Sequence, residues 1–172
     1  MIDKCLICGE YVPEGRQICP NCERKNMNAP NTAQRTYRFT VYGKPQPKQR
    51  PRFNSQTGIA YTPRETRLYE NEVKYYFLQE YRRPVKLEGA LVVRIDAYFE
   101  PPKSTPNATL EKMYSGEIRP AKKPDADNII KSICDALNGL AYSDDGQIVS
   151  VYCRKLYSDV ARCEVTITNE RS

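Results

Sequence analysis

Residues 124–148 read PDADNIIKSICDALNGLAYSDDGQI, and this run constrains the architecture more than any other stretch of the chain. Plotted at about 100° per residue, positions 127–140 separate into two faces. Ile129, Ile130, Ile133, Cys134, Ala136, Leu137 and Leu140 cover one side, while Asp127, Asn128, Lys131, Asp135 and Asn138 share the opposite arc. A helix of this kind must lay its apolar stripe on a second layer. Its ends are acidic: Asp125 and Asp127 stand before it, Asp144 and Asp145 after it. Carboxylates crowded in this way raise one another's pKa unless a cation neutralises them, and Mg2+ is a hard cation that prefers oxygen ligands. Two plainer readings stand beside this one. Asp127 and Lys131 can form an i,i+4 pair worth about 0.3–0.5 kcal/mol on a solvated arc, and Asp125 or Asp127 can serve as a helix N-cap. A helix over 127–140 also separates the two clusters by about 20 Å. A shorter helix whose exit loop folds back over its polar face relieves that distance, or the site is completed in another way, and the sequence alone does not choose between the two.

The remaining sequence reads as an α+β unit. Tyr37, Phe39 and Val41 alternate with polar positions and predict a strand over residues 37–42. A Pro-rich basic loop, GKPQPKQRPRFNSQTG, follows, and Pro63-Arg64 opens a helix to about residue 83 with Tyr69, Val73, Tyr76 and Phe77 on one face. Strands are expected over 87–99, 148–157 and 162–168, where Val, Ile and aromatic residues concentrate. Residues 101–124 read as irregular, with a short helix near 110–114. The order β-α-β-α-β-β predicts two main helices packed on a mixed β-sheet.

The N-terminal segment has a different chemistry. Cys5-x2-Cys8 and Cys19-x2-Cys22 are two tight cysteine pairs ten residues apart. Each pair presents two thiolates, and together they predict a tetrahedral structural Zn2+ site in a small ribbon or knuckle. The expected organisation is a zinc module at 1–26, a linker at 27–36 and the main domain at 37–172. Lys4, Arg16, Arg24 and Lys25 are balanced in the module by Asp3, Glu10, Glu14 and Glu23, and four thiolates leave the metal centre at about −2. Such a segment grips phosphate poorly, so its expected role is structural or as a dock for a protein partner. Cys134, Cys153 and Cys163 fall within predicted elements and read as small core residues.

Charge points to a polyanionic partner. The chain carries a net charge of +6. Between Glu23 and Glu65 there is no acidic residue, while nine positions are basic: Arg24, Lys25, Arg35, Arg38, Lys44, Lys48, Arg50, Arg52 and Arg64. Pro45, Pro47 and Pro51 keep the loop extended, so that Lys44, Lys48, Arg50 and Arg52 can follow a phosphate backbone. Lys122 and Lys123 precede Asp125 and either hold phosphates or decorate the surface. Phe53 is read as packing or as a wedge between base steps. Without a single histidine, His-based acid–base chemistry is excluded. No apolar run approaches membrane-spanning length, and no secretory signal is visible, which predicts an intracellular, cytoplasmic setting.

Asp125-x-Asp127-Asn128-x-x-Lys131 followed by Asp144-Asp145-x-Gln147, with DALNG between them and GKPQPKQRPRF and YTPRET upstream, resembles the RusA family of Holliday junction resolvases. The similarity covers about residues 37–168. It implies a Mg2+ site of Asp125, Asp127 and Asp145, with Asp144 as a further candidate ligand. It also implies a catalytic role for Lys131, as partner to the base or as charge stabiliser. A homodimer placing paired symmetric nicks in a four-way DNA junction, in recombination or repair, completes what the family implies. Metal-assisted attack of water on a phosphodiester is consistent with these residue types, and two cuts related by a two-fold axis need the two sites of a C2 dimer. The alternatives are a non-catalytic DNA-binding or docking protein with zinc-mediated partner recognition, and a metal phosphohydrolase acting on flaps or single strands.

Overall fold

The computed structural model describes residues 2–4, 11–13, 35–56 and 58–170. The chain divides into two units, Met1–Ala33 and Gln34–Ser172. In the first, β1 (Ile2–Lys4) and β2 (Tyr11–Pro13) pair antiparallel. Cys5, Cys8, Cys19 and Cys22, and with them the expected zinc site, lie outside the described residues.

The second unit runs β3 (Thr36–Tyr42), β4 (Arg52–Asn54), β5 (Ile59–Tyr61), α1 (Arg64–Glu80), β6 (Leu91–Phe99), α2 (Asn107–Tyr114), α3 (Ala126–Leu137), β7 (Ile148–Tyr157) and β8 (Arg162–Asn169). Four strands form one sheet in the order β3-β8-β6-β7. The β3–β8 and β8–β6 pairs are antiparallel and β6–β7 is parallel, so the sheet is mixed, as predicted. Besides the two main helices, α1 and α3, the described residues hold the short helix foreseen near 110–114 as α2, which begins earlier, at Asn107. A two-stranded ribbon, β4–β5, occupies part of what read as a plain basic loop. Ser55, Gln56 and Gly58 of its turn sit between short runs with strand-forming side chains, a weak hairpin signal hidden by the prolines before it.

Packing follows from the two periodicities. Tyr69, Val73 and Phe77, four residues apart on α1, are buried, as are Ile129, Ile133, Ala136 and Leu137 of α3. Both helices pack on one sheet face made by Tyr37, Phe39 and Val41, by Leu91, Val93, Ile95 and Ala97, and by Cys163, Val165 and Ile167. Each fully buried aliphatic or aromatic side chain contributes about 1.5–3 kcal/mol. On the opposite face the alternate residues form polar pairs: Arg154 meets Asp96 through two bonds of 2.6 Å, and the Arg94 and Arg162 guanidinium groups lie 4.4 Å and 4.0 Å from the ring centres of Tyr152 and Tyr98. The domain therefore has one helical layer and one sheet layer. Cys134 and Cys163 are core residues, and Cys153 is half-buried.

Several boundaries move for local reasons. Helix α1 stops at Glu80 because Pro84 disfavours helical backbone at Arg83 and deprives the last turn of a continuation. Strand β6 begins at Leu91, not at 87; Leu87 makes only an isolated bridge, to Tyr142. Helix α3 ends at Leu137, three residues before the predicted end. Among the described residues no helix is long and apolar enough to cross a membrane.

Candidate active site

Asp125 occupies the N-cap position of α3 with extended backbone (φ −73°, ψ 146°), yet its side chain makes no capping hydrogen bond. The N-cap reading thus holds for the position and fails for the carboxylate. Asp127, in the first helical turn, is exposed and accepts a 3.3 Å bond from the neighbouring Asn128 amide. Lys131, one turn on, is also exposed. No Asp127–Lys131 ion pair forms, and among the described residues none of Asp125, Asp127, Lys131 and Asp145 takes part in a salt bridge. The helix dipole favours both carboxylates at this end by roughly 0.3–1 kcal/mol each.

At the other end the chain turns back. Gly139 adopts φ +75°, a conformation that costs other residues free energy, and the Leu140 and Ala141 amides both bond to Leu137 O. Tyr142 is then wholly buried against α3, its hydroxyl donating to Cys134 O at 2.8 Å. Helix α3 is thus shorter than the sequence drew it, and the chain after Leu137 turns back to pack Tyr142 against it. Residues 145–147 form a 3-10 turn capped by Asp144, whose Oδ1 accepts from Gly146 N at 2.7 Å. Gln147 binds on both sides: its Oε1 accepts from the Ser143 and Asp144 amides, and its Nε2 donates to Leu87 O and Gly89 O, each at 3.2 Å. The amide's hydrogen-bonding capacity is thereby fully used. Gly146 fits because a Cβ there would lie 2.8 Å from Asp144 Oδ1.

This arrangement divides the labour within the second motif. Asp144, Gly146 and Gln147 build the turn; the Asp145 backbone carbonyl accepts from Ile148 N, and its carboxylate is left exposed with no capping role. Its charge is felt nearby. Burial pushes the Cys134 thiol up to about 11, and the carboxylates of Asp135 and Asp145 push the same way. Burial likewise drives the Tyr142 phenol well up, with Cys134, Asp145 and Asp135 adding to it. Asp145 is thus close enough to the buried Cys134 and Tyr142 for its charge to act on both, while Asp125 and Asp127 mark the start of α3. Among the described residues no group of three or more His, Cys, Asp and Glu side chains forms a metal cage.

The basic loop is stitched to both helices. Lys48 N donates to Asn128 O at 2.8 Å, Gln49 N to Thr66 Oγ1 at 3.3 Å and Gln49 Nε2 to Glu65 Oε2 at 2.7 Å. The Lys48 ammonium turns inward and bridges Glu70 of α1 and Asp135 of α3, the latter at 3.0 Å. Burial works against that ammonium, but the two carboxylates outweigh it and hold its pKa above the ordinary value. The loop thus rests directly on the first turn of the aspartate helix. Lys44, Arg50 and Arg52 remain exposed, as do Lys122 and Lys123, with Lys155 Nζ donating to Lys122 O. Asp135 was visible on the polar arc, but nothing local in the sequence marks Glu70 as its neighbour.

A family model described as Endodeoxyribonuclease RusA matches residues 42–168. A relative from Bacillus subtilis, "Uncharacterized protein YqaN", is 36% identical over 134 residues, spanning 76% of this chain and 94% of its own length.

Proposed function

The chain belongs to the RusA endodeoxyribonuclease family, and from that premise we propose that it is a Mg2+-dependent endonuclease that resolves four-way DNA junctions as a homodimer. One observation carries this reading. In the two motifs the side chains that hold the fold together, Asp144 and Gln147, are distinct from Asp125, Asp127, Lys131 and Asp145, which are exposed and free of ion pairs. Unneutralised carboxylates beside an exposed lysine suit a highly charged ligand, not a structural end.

The donor set fits Mg2+, which is usually held by one or two carboxylates together with substrate phosphate oxygens and water, not by an all-protein cage. Asp125 and Asp127 would hold it, joined by Asp145 from the capped turn. When bound, such an ion polarises the phosphoryl oxygen and lowers the pKa of an attacking water. Lys131, one turn from Asp127 on the same exposed arc, offsets negative charge growing on the phosphoryl or leaving oxygen. Lys44, Arg50 and Arg52 on the docked loop, with Lys122 and Lys123 just before Asp125, grip the flanking backbone. A two-fold dimer supplies the second site for the opposite strand. The four cysteines Cys5, Cys8, Cys19 and Cys22 form a structural Zn2+ site in this reading, with a protein partner as its expected ligand.

The test is cleavage of a synthetic mobile four-way junction beside three-way and flap substrates, with Mg2+, with EDTA and with Asp127→Asn. Paired symmetric cuts should appear only on the four-way junction and only with Mg2+, and Asp127→Asn should abolish them while junction binding persists. Cutting by Asp127→Asn, or cutting in EDTA, refutes the site assignment.

A further inference from the structure

The β4–β5 ribbon exposes more apolar surface than so small an element can explain by its own stability. Phe53 is 68% exposed, Ile59 64% and Tyr61 48%, and none belongs to the core cluster. The register pairs Arg52 with Tyr61, Phe53 with Ala60 and Asn54 with Ile59. By strand alternation Arg52, Tyr61 and Ile59 share one side of the ribbon, and Phe53 stands on the other. Its cross-strand neighbour is an alanine, so one face of the ring has open space beside it. Arg52 belongs to the ribbon and Arg50 and Arg64 flank it along the chain, all exposed and none in an ion pair among the described residues.

Aromatic rings set among free guanidinium groups match a ligand that offers flat apolar faces and negative charge together. Nucleic acid does this where its bases are unstacked; a paired duplex hides those faces. The loop leading into the ribbon is tied to both helices, because Lys48 and Gln49 bond to Asn128 O, Thr66 Oγ1, Glu70 and Asp135. Phe53 follows four residues after the anchored Gln49, which ties the ribbon's entry to the helix that carries Asp127 and Lys131.

We propose that the β4–β5 ribbon is a nucleobase-stacking site, with Phe53 the platform for a base unpaired at the branch point and Arg50 and Arg52 on the adjoining phosphates. The proposal rests on the junction-cutting function above and adds to it the group that opens the branch.

The full-length protein is titrated, in EDTA, onto a four-way junction carrying 2-aminopurine at the branch point, and onto a fully paired duplex carrying it centrally. Wild-type protein should raise the junction fluorescence and leave the duplex signal alone. Phe53→Ala should lose most of that rise and about tenfold in junction affinity, with duplex affinity unchanged, since stacking is worth about 1–3 kcal/mol per base. Phe53→Tyr should restore both. A wild-type signal from Phe53→Ala overturns the proposal, as does an equal loss of affinity on duplex and junction. A shift of Phe53→Ala from dimer to monomer in sedimentation would assign the ring to a subunit contact and overturn it too. If the wild-type enzyme cuts flaps in place of four-way junctions, the substrate assignment fails, while the fluorescence on a flap's unpaired base still decides the role of Phe53.

Discussion

Replacing Lys48 with methionine separates a joint from a grip. The Lys48 ammonium bridges Glu70 and Asp135, and the three side chains are 19%, 17% and 27% exposed. The substitution keeps the side chain's bulk and leaves two carboxylates facing each other without their cation. Hydrogen bonds to charged groups contribute roughly 1.5–3 kcal/mol each when buried. Discounting for the water that still reaches all three groups gives a loss of about 2 kcal/mol, or about 4–8 °C in Tm for a chain of this size. Thermal denaturation at pH 7 measures it. The penalty should shrink towards pH 5, because repulsion raises a carboxylate pKa in the folded variant and protonation then relieves it. In the wild type the sign is opposite: the raised Lys48 pKa means that its stabilisation is complete below the ordinary 10.5 and disappears as pH climbs above it. Adding Glu70→Gln and Asp135→Asn to Lys48→Met should recover most of the loss. Because the ammonium faces protein carboxylates, the salt dependence of DNA binding should stay as in the wild type while cleavage falls. A Tm within about 1 °C of wild type, or a log–log salt slope reduced by about one unit, refutes the reasoning.

Arg50→Ala with Arg52→Ala should do the reverse, lowering the salt slope by roughly one unit per lost phosphate contact with little change in Tm; an unchanged slope places the DNA elsewhere. Gln147→Leu removes bonds to Leu87 O, Gly89 O and the Ser143 and Asp144 amides, so it should cost about 1–3 kcal/mol in denaturant unfolding and lower kcat by displacing Asp145. Wild-type kcat would mean that the turn need not be held. Ser132 Oγ is buried without a hydrogen-bond partner, so Ser132→Ala should raise stability by about 1 kcal/mol. A fall in Tm on that substitution would reveal a partner for the hydroxyl. Zinc measured on the purified chain should be one ion per chain, absent after Cys5→Ser with Cys8→Ser.

Much of the domain was legible because its signals are local. The alternation Tyr37-Phe39-Val41 and the four-residue spacing Tyr69-Val73-Phe77 are backbone geometries written into neighbouring residues, and both elements appear with their expected faces inward. The mixed sheet with helices packed on it followed from the order of such elements, and that the two main helices share one face came from the structure. Boundaries were less legible where one residue decided them, as Pro84 does for α1 and Gly139 for α3. Of the four aspartates, sequence could place each at one end of the helix, but not tell the capping Asp144 from the exposed Asp145.

Sequence by itself determined the residue types of the site: an acidic pair, a lysine one turn on and a second acidic pair after a glycine-broken helix. Only the tertiary structure decided which of these side chains are engaged elsewhere. Lys48 reads as one of several equivalent cations along a proline-rich loop, and the fold turns it inward because α1 and α3 bring Glu70 and Asp135 to the same place. Gln147 reaches Leu87 and Gly89 across 58 to 60 residues of chain. Such meetings depend on how layers pack, and a short-range pattern carries no information about a partner that distant.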